Sequence, residues 1–462
     1  MRSWRMITFE SLVLPEPLLQ AISALNYTTM TPVQAQSLPS LLEGRDVIAQ
    51  ARTGSGKTVA FGLAALSRID ATHTSLQVLI LCPTRELADQ VSKSIRAMAR
   101  FIPNVKLLTL CGGIPLRPQL ASLTHMPHIV VGTPGRIQEL LDQAALSLSA
   151  VRVLVLDEAD RMLDMGFLDA ISALVAKTPK TRQTLLFSAT YPDGIRTISA
   201  RIQRDPVAVT VDHGEALAAI EQRFYEVDDK RRFDALVRLL AVERPQSALV
   251  FCNTRRDTAD VAEGLIARGF SAQALHGELD QRERDEVLVR FANRSCAVLV
   301  ATDVAARGLD IDDLPMVVNY EVATDADAHV HRIGRTGRAG RSGLALSLVA
   351  PAEMPRMKVI EERIGVVRWL PLPSSNGPRD EPLLAAMATL AIDAGRQDKL
   401  RPGDVLGSLT GSAGLSADVV GKIDIFATRA YVAIRRDTAA LALQRLRQNK
   451  IKGRSFRVRA ID

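Results

Sequence analysis

The sequence predicts an α/β protein: two tandem parallel-sheet domains followed by a small, basic α+β domain. Three observations carry this. Short apolar runs that each end in a polar or glycine-rich turn occur in two series along the chain. Segments of helical periodicity separate them. A Pro/Ser/Gly-dense break, PLPSSNGPRDEP at 371–382, precedes a last stretch with a different, alternating pattern.

The first series is DVIAQARTG, VLILCPTRE, HIVVGTPGR, VRVLVLDEAD and TLLFSAT. Continuous Val/Ile/Leu runs of this length read as strands buried on both faces, hence a parallel sheet covered by helices. RELADQVSKSIRAMARF between them reads as one such helix. RDPVAVTVDHGEA, 204–216, reads as a strand running into a linker. The second series is SALVFCNT, SAQALHG, CAVLVATD, MVVNY and GLALSLV. We therefore expect domains at 1–208 and 217–372, a linker at 373–384 and a third domain at 385–462.

In the last stretch, MATLAIDAG, KIDIFA, RAYVAIRR and RSFRVRAI read as strands, and RPGDVLGSLTG and TAALALQRLRQN as helices. That β-α-β-β-α-β order is used by ferredoxin-like and RRM-type folds. Alternation in the final strand places Phe456, Val458 and Ala460 on one face and Arg457 and Arg459 on the other.

Apolar residues make up 47% and charged residues 24% of the 462, as in ordinary globular protein. No apolar run reaches the length of a membrane span, and the N-terminal residues do not read as a signal peptide. Cys82, Cys111, Cys252 and Cys296 are widely spaced, so buried free thiols in a reducing cytoplasm are expected. The net charge is +7, and residues 385–462 hold fourteen Lys/Arg against seven Asp/Glu, so the whole excess lies there. A basic end on a neutral body points to a polyanion-binding appendage.

Ligands of parallel sheets collect at the carboxyl ends of strands, and the distinctive residues sit there. ARTGSGKT, 51–58, follows a strand. The backbone of Thr53, Gly54, Ser55 and Gly56 would cradle phosphates, Lys57 would reach the terminal ones, and Thr58 would place its hydroxyl on Mg²⁺. VLVLDEAD, 153–160, ends four apolar residues in adjacent carboxylates. Asp157 would hold Mg²⁺ and Glu158 would orient the attacking water. A lone strand-end Asp-Glu is more often a helix cap. Joined to a Gly-Lys-Thr loop earlier in the chain, it reads as a catalytic pair.

With these motifs the chain resembles the DEAD-box RNA helicases over residues 8–365. TPVQ (31–34) matches the family's Q motif. PTRELADQ, GG (112–113), TPGR and SAT match in the first domain, and LVFCNT, HGELDQRER, ATDVAARGLDI and HRIGRTGRAG match in the second. The resemblance implies RecA-like folds for both parallel-sheet domains and ATP as the nucleotide. It implies that Gln34 reads the adenine edge with Tyr27 or Phe9 near the base, and that Asp310 contacts the ribose. Thr84, Arg85, Gly113, Thr133, Arg136, Asn253, Thr254, Gly277 and Thr302 fall where the family grips RNA phosphates. Each alone could equally be a cap or turn residue. Ser188 and Thr190, with Asp160, fall where ATP state is coupled to RNA binding. Arg335 and Arg338, three apart in a glycine-rich loop, would be arginine fingers that stabilise transition-state charge when two domains close on ATP. A closure that strains one RNA strand would melt only a short duplex of roughly ten base pairs, at about 1.4 kcal/mol per step.

The tail, GKIDIF…YVAI…ALQRL…KIKGRSFRVR, resembles the RNA-binding tail of the DbpA subfamily. That resemblance implies a 23S ribosomal RNA hairpin as target and a role in assembly of the large (50S) ribosomal subunit. Lys450, Lys452 and Arg454, with some of Arg435, Arg436, Arg457 and Arg459, would make the positive face. With only Phe426 and Tyr431 as aromatics near the central strands, a basic edge is expected to bind RNA rather than a stacking platform. Two alternatives stand beside this reading: a DNA-directed translocase of the same superfamily, and an ATP-dependent RNA clamp that does not unwind. A monomer is the default.

Overall fold

A computed structural model describes residues 8–51, 54–211, 220–306, 314–337, 343–373, 381–412 and 414–461. They form two compact units, one ending at Val211 and the other starting at Ile220.

The first unit holds a parallel seven-stranded sheet of β1 (Val47–Gln50), β2 (Val78–Leu81), β3 (Leu107–Leu110), β4 (Ile129–Gly132), β5 (Val153–Asp157), β6 (Gln183–Ser188) and β7 (Val207–Thr210). Their order is β3-β4-β2-β5-β6-β1-β7. Alternate side chains enter two cores. Val47, Ile80, Val155 and Phe187 pack under helices Glu16–Ala24, Lys57–Leu66 and Arg85–Met98. Ile48, Leu79, Leu154 and Leu186 pack under Pro134–Asp142 and Leu168–Ala176. Burial on both faces is why these strands are continuously apolar. Because β6 lies between β1 and β5, Ser188 sits level with Gln50 and Phe187 with Asp157. The three motif-bearing strand ends are thus neighbours.

The second unit repeats the plan with β8 (Ile220–Glu226), β9 (Ala248–Cys252), β10 (Ala272–Leu275), β11 (Val298–Thr302), β12 (Met316–Asn319), β13 (Gly343–Val349) and β14 (Arg368–Trp369), ordered β10-β11-β9-β12-β13-β8-β14 and all parallel. Strands β3 and β8 carry no continuous apolar run, so hydropathy did not reveal them. Both are partly exposed.

The same unit carries the tail, an antiparallel sheet of β15 (Met387–Ile392), β16 (Val420–Ile425), β17 (Ala430–Arg435) and β18 (Val458–Ile461) in the order β16-β17-β15-β18. Helices Pro402–Gly407 and Ala439–Gln448 cover one face over Leu390, Val432, Ile434 and Val458. The expected β-α-β-β-α-β order is present. The final strand is shorter than expected: only Val458–Ile461 pair with β15, after a turn at left-handed Lys452 and Gly453.

The other face of this sheet is not open. Ala391, Tyr431, Ile461 and Phe426 pack on Val289 of helix Gln281–Ala292 in the second parallel-sheet domain. Around this apolar spot, Glu286 accepts from Arg459 Nη2 (2.7 Å), Arg429 Nη1 (3.1 Å) and the Tyr431 hydroxyl (3.4 Å). The Ser295 and Thr389 hydroxyls bond across the seam, and Ala385 N donates to Ser271 Oγ at 3.0 Å. Three of the tail arginines from which part of the positive face was expected are engaged otherwise. Arg459 is held by Glu286, Arg436 Nε by the Ala385 carbonyl, and Arg435 by Asp437 and Asp418. Their charge is met at close range by carboxylates and a carbonyl.

Among the described residues, no helix is long and apolar enough to cross a membrane. The four cysteines are free and buried, as expected.

Candidate ATP site and RNA-facing loops

The phosphate loop leaves β1 and enters helix Lys57–Leu66 through Gly54 and Gly56, both with positive φ. At Gly56 glycine is required twice over. Its φ is +93°, and a Cβ there would lie 2.4 Å from Gln34 Nε2. Gln34 bridges two motifs: its Oε1 accepts from Thr31 N (2.9 Å), and its Nε2 donates to Gly56 O (3.1 Å). The Q motif is thereby tied to the phosphate loop. Tyr27 is half exposed, whereas Phe9 is 3% exposed within the first core. Phe9 is thus a packing residue. Its position ahead of the first helix offers an apolar ring to the core, and the core takes it.

Lys57 is buried at the helix start, and its Nζ has no hydrogen-bond partner. A buried ammonium without a partner is costly, so the loop is built for an anion. Opposite it, Asp157 ends β5 fully buried. Burial pushes its carboxyl up to about 6, while the Lys57 charge pulls the other way. The next residue, Glu158, is left-handed (φ 52°) and caps helix Ala159–Asp164. Non-glycine residues adopt this conformation uncommonly, and such positions are enriched at functional sites. Thr58 follows Lys57 on the helix and is partly exposed. An ammonium, a hydroxyl and two carboxylates are a donor set that fits a nucleotide triphosphate with Mg²⁺.

Asp160 joins the adjacent strand end. Its Oδ2 accepts from Thr190 N (3.1 Å) and Thr190 Oγ1 (3.0 Å), and its N–H donates to Ser188 Oγ (3.3 Å). The fourth acidic letter is thus bonded to the Ser-Ala-Thr turn. Ser55, Glu158 and Asp160 have further interactions as well.

The expected RNA contacts gather at helix N-termini. Thr84 caps Arg85–Met98 and accepts from Leu87 N. Thr133 stands at the N-cap position of Pro134–Asp142, but its hydroxyl accepts from Gly112 N at 3.2 Å rather than from the helix, beside left-handed Gly113. Thr254 caps Arg255–Ala267. A cap position does not exclude a phosphate contact, because a helix start presents N–H groups and a positive dipole end. Arg85 is within 3.9 Å of Asp89. Arg136 is braced by Glu139 (2.9 Å) and the Ile114 carbonyl (3.0 Å), with Nη1 buried and unpartnered. In the second unit Gly277 is exposed, and Thr302 is buried with its hydroxyl accepting from Ala305 N. The Asn253 amide is used at both ends, accepting from Arg332 (2.7 Å) and donating to Val322 O (3.1 Å). Arg335 is buried, its carbonyl accepting from Leu314 N at 3.0 Å. Thr53, Asp310 and Arg338 lie outside the described residues.

On the tail, Lys450, Lys452 and Arg454 are exposed. Lys452 Nζ donates to the Lys399 carbonyl at 3.0 Å and lies 3.6 Å from Asp404. The turn at 450–454 therefore meets the loop carrying Arg396, Lys399 and Arg401, all exposed. Sequence reading did not include those three. The run RQDKLR was visible, but only the fold brings it to Lys452. Arg332, Asp303 and Glu286 were also missed. The first two lie inside quoted motifs, while Glu286 carries no local signal.

Comparison with known proteins agrees with this architecture. The model of the DEAD/DEAH box helicase family matches residues 31–198, that of the helicase conserved C-terminal domain 231–340, and that of the DbpA RNA binding domain 389–460. The chain is 53% identical over 458 residues to the ATP-dependent RNA helicase DbpA of Escherichia coli K12, covering 99% of this chain and 100% of that one. It is 44% identical over 357 residues to the DEAD-box ATP-dependent RNA helicase CshA of Bacillus anthracis, covering 77% of this chain and 67% of that one. Among solved structures, S. cerevisiae Dbp5 bound to RNA and ADP BeF3 matches with a TM-score of 0.73 and 31% identity, over 79% of this chain and 96% of that one. Two RecA-like sheets with their nucleotide loop, and a basic RNA-binding tail docked on the second of them, make this chain a member of the DEAD-box ATP-dependent RNA helicases, in the DbpA subfamily.

Proposed function

We propose that this helicase separates short RNA duplexes locally and is directed by its tail to 23S ribosomal RNA during assembly of the large ribosomal subunit. In this reading Lys57 and the loop 53–56 hold the ATP phosphates, Gln34 and Tyr27 the adenine, and Asp310 the ribose. Glu158 orients the attacking water, and Arg335 and Arg338 neutralise charge on the γ-phosphate. Thr58 and Asp157 would hold Mg²⁺, which would supply charge neutralisation for the nucleotide's phosphates. Thr84, Arg85, Gly113, Thr133, Arg136, Thr254, Gly277 and Thr302 contact RNA phosphates, with the Asn253 loop beside them. Such contacts position RNA without reading its sequence.

The observation that carries the addressing role is the exposed basic corner of the tail. Lys399, Arg401, Lys450, Lys452 and Arg454 lie away from the face used for docking. The aromatic pair Phe426–Tyr431, which could otherwise stack bases, is turned onto the second parallel-sheet domain instead. RNA held at the corner is kept beside the motor, which raises its local concentration.

The test is RNA-stimulated ATP hydrolysis with three RNAs: a 23S fragment carrying the peptidyl-transferase region, an unrelated structured RNA, and poly(A). The full-length protein is run beside a full-length variant with Lys399, Lys450, Lys452 and Arg454 changed to Gln. A truncation is unsuitable because it would uncover Val289 and Glu286. The reading expects half-maximal stimulation at the lowest concentration with the 23S fragment, and loss of that preference in the variant. Equal response to all three RNAs in both proteins would remove the tail as an address. Strand displacement on a short duplex separates helicase from clamp.

A further inference from the structure

Helix Met354–Ile364 and the edge strand β14 border a groove of about 610 Å³ that none of the roles above uses. Met354, Met357 and Leu370 form its apolar part, and Trp369 lines it as well. The Trp369 ring leans on Phe224, at 5.8 Å between centroids, yet the residue stays 38% exposed. Phe224 is buried with Met357 and Ile360 in a small core of its own. An indole braced by a packed floor and still open to solvent is a rigid anchor for a ligand. The groove also lies apart from the sites already described. In the sheet order, β12, β13 and β8 stand between β14 and β9.

The charges in the groove are out of balance. Glu226 and Glu361 line it against one cation, Lys358. Among the described residues, neither carboxylate has an ion pair or a side-chain hydrogen bond. The arginines nearest in sequence are engaged elsewhere. Arg368 Nη1 lies 3.3 Å from Glu221, Arg363 lies 4.0 Å from Asp327, and Arg356 donates to the Val322 carbonyl at 3.1 Å. Other carboxylates of the same unit are answered, Glu353 by Arg232 and Glu243 by Arg223. An aromatic ring beside two unanswered carboxylates attracts a cation and repels a phosphate. RNA is therefore the wrong occupant. A merely solvated acidic rim would not explain a half-exposed tryptophan on a packed apolar floor.

We propose that this groove docks a basic peptide segment of a partner protein. An arginine or lysine of that segment lies against Trp369, with Glu226 and Glu361 as its counter-charges. Apolar residues beside it pack on Met354 and Leu370. A small organic amine would satisfy the carboxylates and leave the apolar part empty, whereas a peptide fills both. β14 ends its sheet, so an extended segment can run along it. The proposal rests on none of the RNA or ATP roles given above.

The test presents random dodecapeptides on phage to the immobilised full-length protein, to Trp369→Ala, and to the double variant Glu226→Gln/Glu361→Gln. We expect a consensus of Arg or Lys flanked by apolar residues, selected by the parent and lost in both variants. A synthetic peptide of that consensus is then titrated against Trp4→Phe protein, in which Trp369 is the one remaining indole. Binding should change the Trp369 emission. Affinity should fall about tenfold or more in the double variant, and should weaken with added salt in the parent. The double variant keeps Trp369 against Phe224, so its melting temperature should match that of the parent. A consensus without cations, or no consensus that depends on Trp369, would overturn the proposal. So would a double variant that binds the peptide as the parent does. A dimer seen by sedimentation and abolished by Trp369→Ala would also overturn it, by placing a second copy of the chain in the groove.

Discussion

Reversing the charge at Glu286 should release the tail from the second parallel-sheet domain while leaving both folded. One carboxylate oxygen there receives Arg459 at 2.7 Å, Arg429 at 3.1 Å and the Tyr431 hydroxyl at 3.4 Å. Glu286 is 20% exposed at its side chain, and the two arginines are 30% and 23% exposed. Hydrogen bonds to charged groups contribute about 1.5–3 kcal/mol each when shielded, and exposure of this order lowers that. Taking about 1.5 kcal/mol for each arginine and little for the long tyrosine contact, loss of Glu286 costs docking about 3 kcal/mol. That is about two orders of magnitude in the docking equilibrium. Glu286→Lys adds repulsion to the loss. The apolar contacts that remain, Val289 against Ala391, Tyr431 and Ile461, form a small patch. The assay is methyl NMR on Val289 and Ile461, which lie on opposite sides of the seam. Both signals should move toward solvent-exposed positions in Glu286→Lys, with other core methyls of the two domains unchanged. A folded Glu286→Lys protein whose Val289 and Ile461 methyls keep the parent shifts would refute the electrostatic account of docking. A double-mutant cycle of Glu286 with Arg459 should return a coupling of about 1–2 kcal/mol.

Three further outcomes follow from particular contacts. Asp160→Asn turns one of the acceptors facing Thr190 N and Oγ1 into an amide, so RNA-stimulated ATP hydrolysis should fall about tenfold or more while nucleotide affinity, measured with a fluorescent ADP, changes little; a parent-like rate would remove Asp160 from coupling. Lys399→Gln and Lys452→Gln should each weaken RNA binding and lower the slope of log K against log salt by about 0.7–0.9, and an unchanged slope would place the RNA elsewhere. His329 is buried beside Arg332, and burial lowers its pKa from 6.5 to about 3. The folded state then binds fewer protons than the unfolded one between those values, so His329 contributes stability above about pH 6.5 that is lost as pH falls toward 3. At pH 5 the loss is about 2 kcal/mol. His329→Phe, with its ring against Phe224, should flatten the denaturant-midpoint profile between pH 6.5 and 4, and a profile parallel to that of the parent would refute the assignment.

Much of the nucleotide site was legible because its chemistry is local. Gly56, Lys57 and Thr58 are consecutive, and the positive φ of Gly56 and the helix start at Lys57 are consequences of that short stretch. Asp157 and Glu158 stand at the end of an apolar strand, which a run of four apolar residues already marks. Thr84, Thr133 and Thr254 were readable as helix starts, and the structure puts each at an N-cap position. The two buried sheets followed from their continuous apolar runs, and β3 and β8 escaped because partial exposure breaks the run.

Pairing across distance was not legible. Glu286 meets Arg459 from 173 residues away and Arg429 from 143. Nothing in either local sequence selects one carboxylate among the chain's many, because charge attracts without specifying a partner until backbone geometry brings two groups within about 3 Å. For the same reason Phe9 was expected near the base whereas packing puts it in the first core, and nothing local singled out Arg332. The alternation of the last strand correctly separated Val458 from Arg459. Which face met solvent depended on helix Gln281–Ala292. The family motifs and the basic tail can be read from the sequence alone; that the tail docks by the sheet face its helices leave uncovered, with the corner around Lys399 and Lys452 exposed, is visible only in the packed chain, which alone says which charges are already answered.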